Sequence, residues 1–254
     1  MRSIRSTVKL FAPRIIISAY RKERLRWDMA KSREKSRTEI FSDIYENNRW
    51  GGEPGSYDSG SGSRADVTAS YVSALRALIR SEGITRIVDL GCGDFEVARR
   101  FLSPELSYVG CDIVAGLVAR NAARFATERI EFCTLDAVTD PLPKGDLCII
   151  RQVFQHLPNR DIATVLRKAR QYRLVVVTDE QVVGDKSGDN NDILPYHGTR
   201  RVFGQGLKLE AAPFFQRVEI LLQHSSGSEH SATSGTYLRT VLIRNNDISL
   251  SYCN

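Results

Sequence analysis

The apolar positions along this chain change period near residue 85. Before that point, Val67, Tyr71, Ala74, Leu75 and Leu78 recur at helical spacing, which predicts a helix over residues 65–81 with Ser63 as its cap. After it, short β-branched runs alternate with helical stretches. Strands are predicted at 86–90, 107–111, 130–134, 146–150 and 174–178, and helices at 95–102, 114–125 and 161–172. The run at 146–150 is nearly continuous in apolar residues, as a strand covered on both faces should be. Such alternation implies parallel strands joined by right-handed crossovers. Two later strands, at 217–222 and 237–243, are joined by a polar stretch too short for an ordinary crossover helix, so an antiparallel pair at the sheet edge fits best. The predicted fold class is α/β: a Rossmann-like, mostly parallel sheet with helices on both faces and an N-terminal helical extension.

Upstream, residues 1–40 read as a basic helical arm, and residues 41–50 as a short helix closed by Gly51 and Gly52. A Gly/Ser-rich loop then runs to Ser63. That composition also suits a flexible linker, but Trp50 and Tyr57 beside it argue for a lid. The expected organisation is an arm (1–40), a lid helix with its loop (41–64) and one large domain (65–254).

Charge sharpens this division. The whole chain carries +6, whereas residues 1–40 alone hold 12 Lys/Arg against 4 Asp/Glu, so the remainder is slightly acidic. The basic character belongs to the arm. It leaves open a peripheral contact with an anionic membrane, beside the plainer reading of a solvated extension; no stable nucleic-acid partner is expected. The apolar content of 42% is ordinary for a globular protein. No apolar run reaches the roughly 18 residues of a membrane span. The stretch 10–20 is broken by Pro13 and Arg14 and lacks a cleavage site, so a cytoplasmic location is expected. Cys92, Cys111, Cys133, Cys148 and Cys253 form no Cys-x-x-Cys pair, which argues against zinc and for free thiols in a reducing compartment.

The chemistry-bearing residues fall at the carboxyl ends of predicted strands, where open α/β sheets bind ligands. Gly91 and Gly93 follow the first strand and allow a sharp turn with close backbone approach. Asp112 ends the second strand and can accept hydrogen bonds from ribose hydroxyls; it equally suits the start of the next helix. Asp136, past the third strand, suits the exocyclic amine of an adenine, or else bonds its own loop. A nicotinamide dinucleotide site would share the first two features. It would want a third glycine where Glu96 stands, and a carboxylate there is unwelcome beside a pyrophosphate.

Val88-Asp89-Leu90-Gly91-Cys92-Gly93 resembles motif I of class I S-adenosylmethionine (SAM) dependent methyltransferases. Tyr108-Val109-Gly110-Cys111-Asp112-Ile113 resembles their acidic second motif, and residues 146–157, with Arg151-Gln152-Val153-Phe154-Gln155-His156, their fourth-strand motif. The resemblance implies a seven-stranded sheet with an antiparallel last strand and SAM as cofactor. It also implies Asp89, Gly91, Cys92 and Gly93 near the methionine moiety, Asp112 and Ile113 at the ribose, Asp136 at the adenine, and Arg151 or Gln152 along the pocket. Tyr45-x-x-Asn48-x-Trp50-Gly51 followed by Ser59-Gly60-Ser61-Gly62-Ser63 is similar to bacterial methyltransferases found beside genes for surface-polysaccharide or other glycan synthesis. That similarity implies a small polar acceptor such as a sugar hydroxyl. Motif I departs from that group, which usually has Ala-Pro-Cys-Gly-Asp-Phe here.

On the acceptor side, His156 is the leading candidate base, and its alternative role is to fix the loop before Pro158. His197 and Tyr196 lie in a polar stretch, residues 185–201, that either folds over the acceptor or is solvated. Tyr45, Trp50 and Tyr57 are candidate acceptor contacts, or packing of the N-terminal segment on the core. His224 and His230 are weaker candidates. Asp185, Asp189 and Asp192 match no metal loop, so no metal is expected. Three rivals stay open: a dehydrogenase, a non-catalytic SAM-binding module and a nucleic-acid methyltransferase. The last lacks the Asn/Asp-Pro-Pro-Tyr type of fourth-strand motif.

Overall fold

The computed structural model describes residues 35–51, 57–193, 200, 204–225 and 235–245. Its sheet has seven strands in the order β3-β2-β1-β4-β5-β7-β6. These are β1 Arg86–Leu90, β2 Ser107–Asp112, β3 Ile130–Thr134, β4 Leu147–Arg151, β5 Leu174–Val182, β6 Glu219–Ser225 and β7 Thr236–Arg244. The pairings β1–β2, β1–β4, β2–β3 and β4–β5 are parallel, and β7 runs antiparallel to both β5 and β6. This is a Rossmann-like fold with one antiparallel strand, β7, inserted beside the edge. Strand order reverses between β1 and β4, so the crevice at their carboxyl ends is where a ligand belongs.

The helices are α1 Arg37–Glu46, α2 Ala65–Ser81, α3 Ala115–Phe125 and α4 Asn159–Ala169. Side chains alternate across the strands. Val88, Leu90, Cys148 and Ile150 pack with Ile162 and Val165 of α4, while Ile87, Leu147 and Ile149 pack with Tyr71, Leu75 and Leu78 of α2. No described helix is long and apolar enough to cross a membrane.

Four local expectations change. First, α1 begins at Arg37, inside the expected arm, because Ser36 and Glu39 form a capping box: the Glu39 N–H donates to Ser36 Oγ (3.2 Å) and the Ser36 N–H to the Glu39 carboxylate (2.7 Å). Residues 1–34, and with them most of the arm, lie outside the described residues. Second, Ser63 does not cap α2; Arg64 precedes the helix, with no side-chain cap bond. Third, the expected helix over 95–102 reduces to one 3-10 turn, Ala98–Arg100. Phe95 sits at φ +68°, a left-handed conformation that stops helix propagation. Its ring is held there against Tyr108, Phe125 and Phe132 at 5.1–5.3 Å. Fourth, β5 continues through the polar residues Asp179, Glu180 and Gln181, because β7 pairs with it along its whole length.

Candidate active site

Beyond β1 the chain turns at Gly91 (φ +75°) and Gly93 (φ +58°). The carbonyl of Cys111 on β2 holds this turn by accepting the N–H groups of Gly91 (2.8 Å) and Cys92 (3.0 Å). The expected reason for the glycines was ligand approach, but the structure supplies another. A Cβ on Gly91 would sit 2.4 Å from Val153 Cγ2, and one on Gly93 2.4 Å from Ser59 Oγ, so the turn is pressed upon by the protein's own loops.

Asp112 ties the turn to α3. One carboxylate oxygen accepts the N–H of Gly93 (3.2 Å) and the other that of Val114 (3.1 Å). It therefore starts the helix and also lines the cavity. Asp89 accepts the phenol proton of Tyr108 (2.8 Å). Burial pushes the carboxyl groups of Asp89 and Asp112 each up to about 6. Asp94, also raised by burial, accepts the backbone N–H groups of Ser59 and Glu96 (both 3.1 Å). Among the acids just past the turn, Asp94 faces the cavity. Glu96 points out of it and pairs with Arg99 at 2.6 Å.

These residues line a cavity of about 390 Å³, within the range of small-molecule sites. Asp89, Gly91, Cys92, Gly93, Asp112, Ile113, Asp136, Arg151, Gln152, His156, Tyr45 and Trp50 all face it. Tyr57 does not. Its hydroxyl lies over Gly116, where a Cβ would meet it at 2.5 Å, and its ring rests 6.0 Å from that of Tyr45. Tyr196, His197 and His230 fall outside the described residues. His224 is half-buried on β6 and does not line the cavity.

The described part of the polar stretch is structural. Asn190 donates to the carbonyls of Lys208 and Ala212 (2.8 Å each), and Asp192 accepts the N–H of Asn159 at the start of α4 (2.7 Å). Asp185 accepts Ser187 Oγ and pairs with Lys208 at 3.2 Å.

The lid is built by residues that periodicity does not reveal. Arg37, in the first turn of α1, grips Asp136 through NH2 (2.8 Å) and Nε (3.1 Å) and reaches buried Asp161 through NH1 (3.0 Å). The other oxygen of Asp136 accepts the Val138 N–H (2.9 Å). The carboxylate expected at an adenine amine is thus engaged first by α1 and by its own loop. Across the cavity mouth, His156 is buried between Phe41 (6.0 Å, edge-on) and Trp50 (5.6 Å), and Trp50 meets Tyr45 edge-on at 5.0 Å. The described end of the Gly/Ser-rich loop, from residue 57, is no slack linker. Its Gly62 carbonyl accepts Arg151 (2.6 Å), its Ser63 carbonyl accepts Arg100 (2.7 Å), and Ser59 Oγ accepts the Asp94 N–H (2.9 Å). Buried Glu180, at the end of β5, completes the far wall.

Residues 88–173 match the family model described as a methyltransferase domain. Among solved structures, the chain resembles the N-methyltransferase NodS from Bradyrhizobium japonicum WM9 in complex with S-adenosyl-L-homocysteine. There the TM-score is 0.57 at 12% identity, over 82% of this chain and 100% of that one. It also resembles magnesium protoporphyrin IX methyltransferase (ChlM) from Synechocystis PCC 6803 with bound SAM, at TM-score 0.51 and 15% identity, over 84% and 99%. No curated protein matches the sequence. At these identities the likeness is one of fold.

Proposed function

We propose that this protein is a SAM-dependent methyltransferase acting on a small polar acceptor, at a hydroxyl of a sugar or related metabolite. The observation that carries the reading is the charge of the crevice at the switch point. Asp89, Asp94 and Asp112 crowd the glycine turn, and burial raises all three. Buried carboxylates repel a pyrophosphate and favour a cation. SAM has a sulfonium and an ammonium where a dinucleotide has phosphates. Asp112, at the carboxyl end of β2 and lining the cavity, stands where a carboxylate can accept ribose hydroxyls. The methyltransferase-domain match and the SAM- and S-adenosylhomocysteine-bound neighbours point the same way.

SAM supplies an already activated methyl group, so the protein mainly aligns the acceptor and excludes water. α1, Trp50 and the 59–63 loop provide the exclusion. A hydroxyl acceptor must lose its proton as it takes the methyl group, and His156 is the group suited to accept it. Trp50, Gln152, Gln155 and Glu180 share the cavity with it, an aromatic face among hydrogen-bonding groups that suits a polyhydroxylated acceptor. The motif shared with glycan-associated methyltransferases supports the same choice. Free Cys92, Cys111, Cys133 and Cys148 support a cytoplasmic site of action.

Calorimetric titration with SAM and with S-adenosylhomocysteine tests the reading. Binding of both, together with methyl transfer from labelled SAM to a sugar pool that His156→Ala abolishes, is expected. A folded protein that binds neither would overturn it.

A further inference from the structure

Cys111 on β2 and Cys133 on β3 are paired residues of neighbouring parallel strands. Both side chains fall on the sheet face that packs with α4, and their sulfurs lie 3.3 Å apart. In-register neighbours on adjacent strands stand about 4.8 Å apart, within the roughly 4.4–6.8 Å that a disulfide bridges between Cα atoms. Cys111 is buried and Cys133 is partly exposed, and both are free thiols. The Cys111 thiol donates to the Cys133 sulfur and holds the Cys133 thiol below its ordinary range, whereas burial pushes the Cys92 and Cys148 thiols up. An accessible, thiolate-leaning cysteine already in contact with a second thiol is the arrangement of a redox-sensing residue and its resolving partner. Methyl transfer has no use for either thiol, and neither lines the cavity. The backbone nevertheless joins them to it. The Cys111 carbonyl accepts the Gly91 and Cys92 N–H groups, Asp112 follows Cys111, and β3 leads on to Asp136.

We propose that Cys111 and Cys133 form a reversible disulfide when the protein meets hydrogen peroxide, and that the bonded state holds SAM less tightly. The Cys133 thiolate attacks one peroxide oxygen and the O–O bond breaks. The leaving hydroxide takes up a proton as water, and Cys133 is left as a sulfenic acid. The Cys111 sulfur then attacks the Cys133 sulfur, the S–O bond breaks, and a second water leaves with the Cys111 proton. Two thiols are oxidised to one disulfide, and one peroxide is reduced to two waters. Closing the 3.3 Å contact to a covalent bond draws together the strand ends beneath the glycine turn and Asp112. A close-packed interior passes such a movement on to its neighbours. Only the effect on affinity rests on the SAM reading above.

Peptide mapping and calorimetry on the same samples test it. The natural chain is treated with hydrogen peroxide, its remaining thiols are alkylated, and it is cut with trypsin. Cys92, Cys111 and Cys133 then fall in separate peptides, residues 87–99, 101–120 and 130–144, so mass spectrometry identifies the linked pair. A link between 101–120 and 130–144 that dithiothreitol removes is expected. SAM affinity should fall by about tenfold on oxidation, the worth of one good hydrogen bond, and return on reduction. Cys133→Ser should form no link and keep its affinity under peroxide. Absence of the link, or a link from Cys92 in its place, overturns the proposal. So does a complete link with SAM affinity unchanged, or an equal loss of affinity in Cys133→Ser. Mapping needs only the natural chain, so it decides even if the variant does not fold. A reduced protein that binds no SAM defeats the SAM reading and the affinity effect with it, while mapping still decides the disulfide.

Discussion

The glycine turn after β1 and the lid laid over it from α1 line one cavity, yet they are held by interactions of opposite reach. The turn depends on neighbours one crossover away: the Cys111 carbonyl and the Asp112 carboxylate, both on the adjacent strand. The lid depends on partners far along the chain, since Arg37 grips Asp136 across 99 positions and Asp161 across 124. Glycine, strand and acid recur at fixed spacing wherever a βαβ unit binds a nucleoside. A lid contact has no such spacing, because its partners meet only when the sheet has already brought them together. The turn should therefore fail absolutely when altered, and the lid by degrees.

The largest effect is expected at Gly91. An alanine there must hold φ +75° and push its Cβ against Val153 Cγ2, a stiff β-branched neighbour. A loss of about 2–4 kcal/mol of stability is expected from the left-handed backbone and overpacking together. Cofactor affinity should fall by about a hundredfold or more, because the Asp94 and Asp112 carboxylates tied to the turn move with it. Adding Val153→Ala should recover the overpacking part in a melting experiment and leave the backbone part. A double variant no better than Gly91→Ala would show that Val153 is not what presses on the turn.

Next in size is the lid. Arg37→Ala leaves Asp136 and buried Asp161 without their shared cation. The KM for SAM should rise about tenfold with little change in kcat, and Arg37→Lys should restore part of it, lacking the planar fork. Asp136 is the sharper probe. If it acts through Arg37, the effects of Arg37→Ala and Asp136→Ala on SAM affinity fall well short of adding. If it reads the adenine amine independently, they add, and the lid and the cofactor pocket are separate devices.

What reads clearly from sequence is position: Gly91, Gly93 and Asp112 stand at the carboxyl ends of the strands that carry them and line one cavity. The fold was legible for the same reason, down to the antiparallel pair at the edge. What periodicity missed has physical causes. The helix over 95–102 has the right apolar spacing, but Phe95 is pulled into an aromatic cluster that only the folded sheet creates. β5 reads as ending at Thr178 because three polar residues follow, and their burial depends on β7. Arg37 looked like part of a solvated basic arm. The one local clue was the capping box formed by Ser36 and Glu39, which starts the helix early enough to carry it into the site.

Charge allows a pH experiment that separates the two regions. Burial raises Asp89 and Asp112 to about 6, above the ordinary carboxylate range. A carboxyl that holds its proton more tightly folded than unfolded costs stability when ionised. That cost appears as pH rises from about 4 to 6 and persists above. A cationic ligand needs the ionised forms. Lowering pH from 7.5 to 5 should therefore weaken SAM binding by about tenfold for each carboxylate that must be charged, while these two groups make the free protein more stable. Asp112→Asn should remove its share of both effects. Lid variants at Arg37 should leave the midpoint near 6 in place. Affinity that is flat across this range would mean that the turn holds its ligand without its charges.

The smallest effect is expected at Glu96, and it bears directly on how the turn is read. In sequence, Glu96 occupies the third-glycine position of a dinucleotide fingerprint, which makes it look like the residue that rejects a pyrophosphate. In the structure its half-exposed carboxylate faces away from the cavity and meets Arg99 three residues on. Exposed pairs of this kind contribute little. Glu96→Ala should accordingly change SAM affinity by no more than about twofold. Asp94→Asn, which alters the acid that does face the cavity and anchors Ser59, should cost about tenfold. If the two variants exchanged places in this ranking, selectivity would belong to the surface of the turn rather than to its buried carboxylates. The contrast between a locally built turn and a remotely built lid would then no longer describe how this cavity selects its ligand.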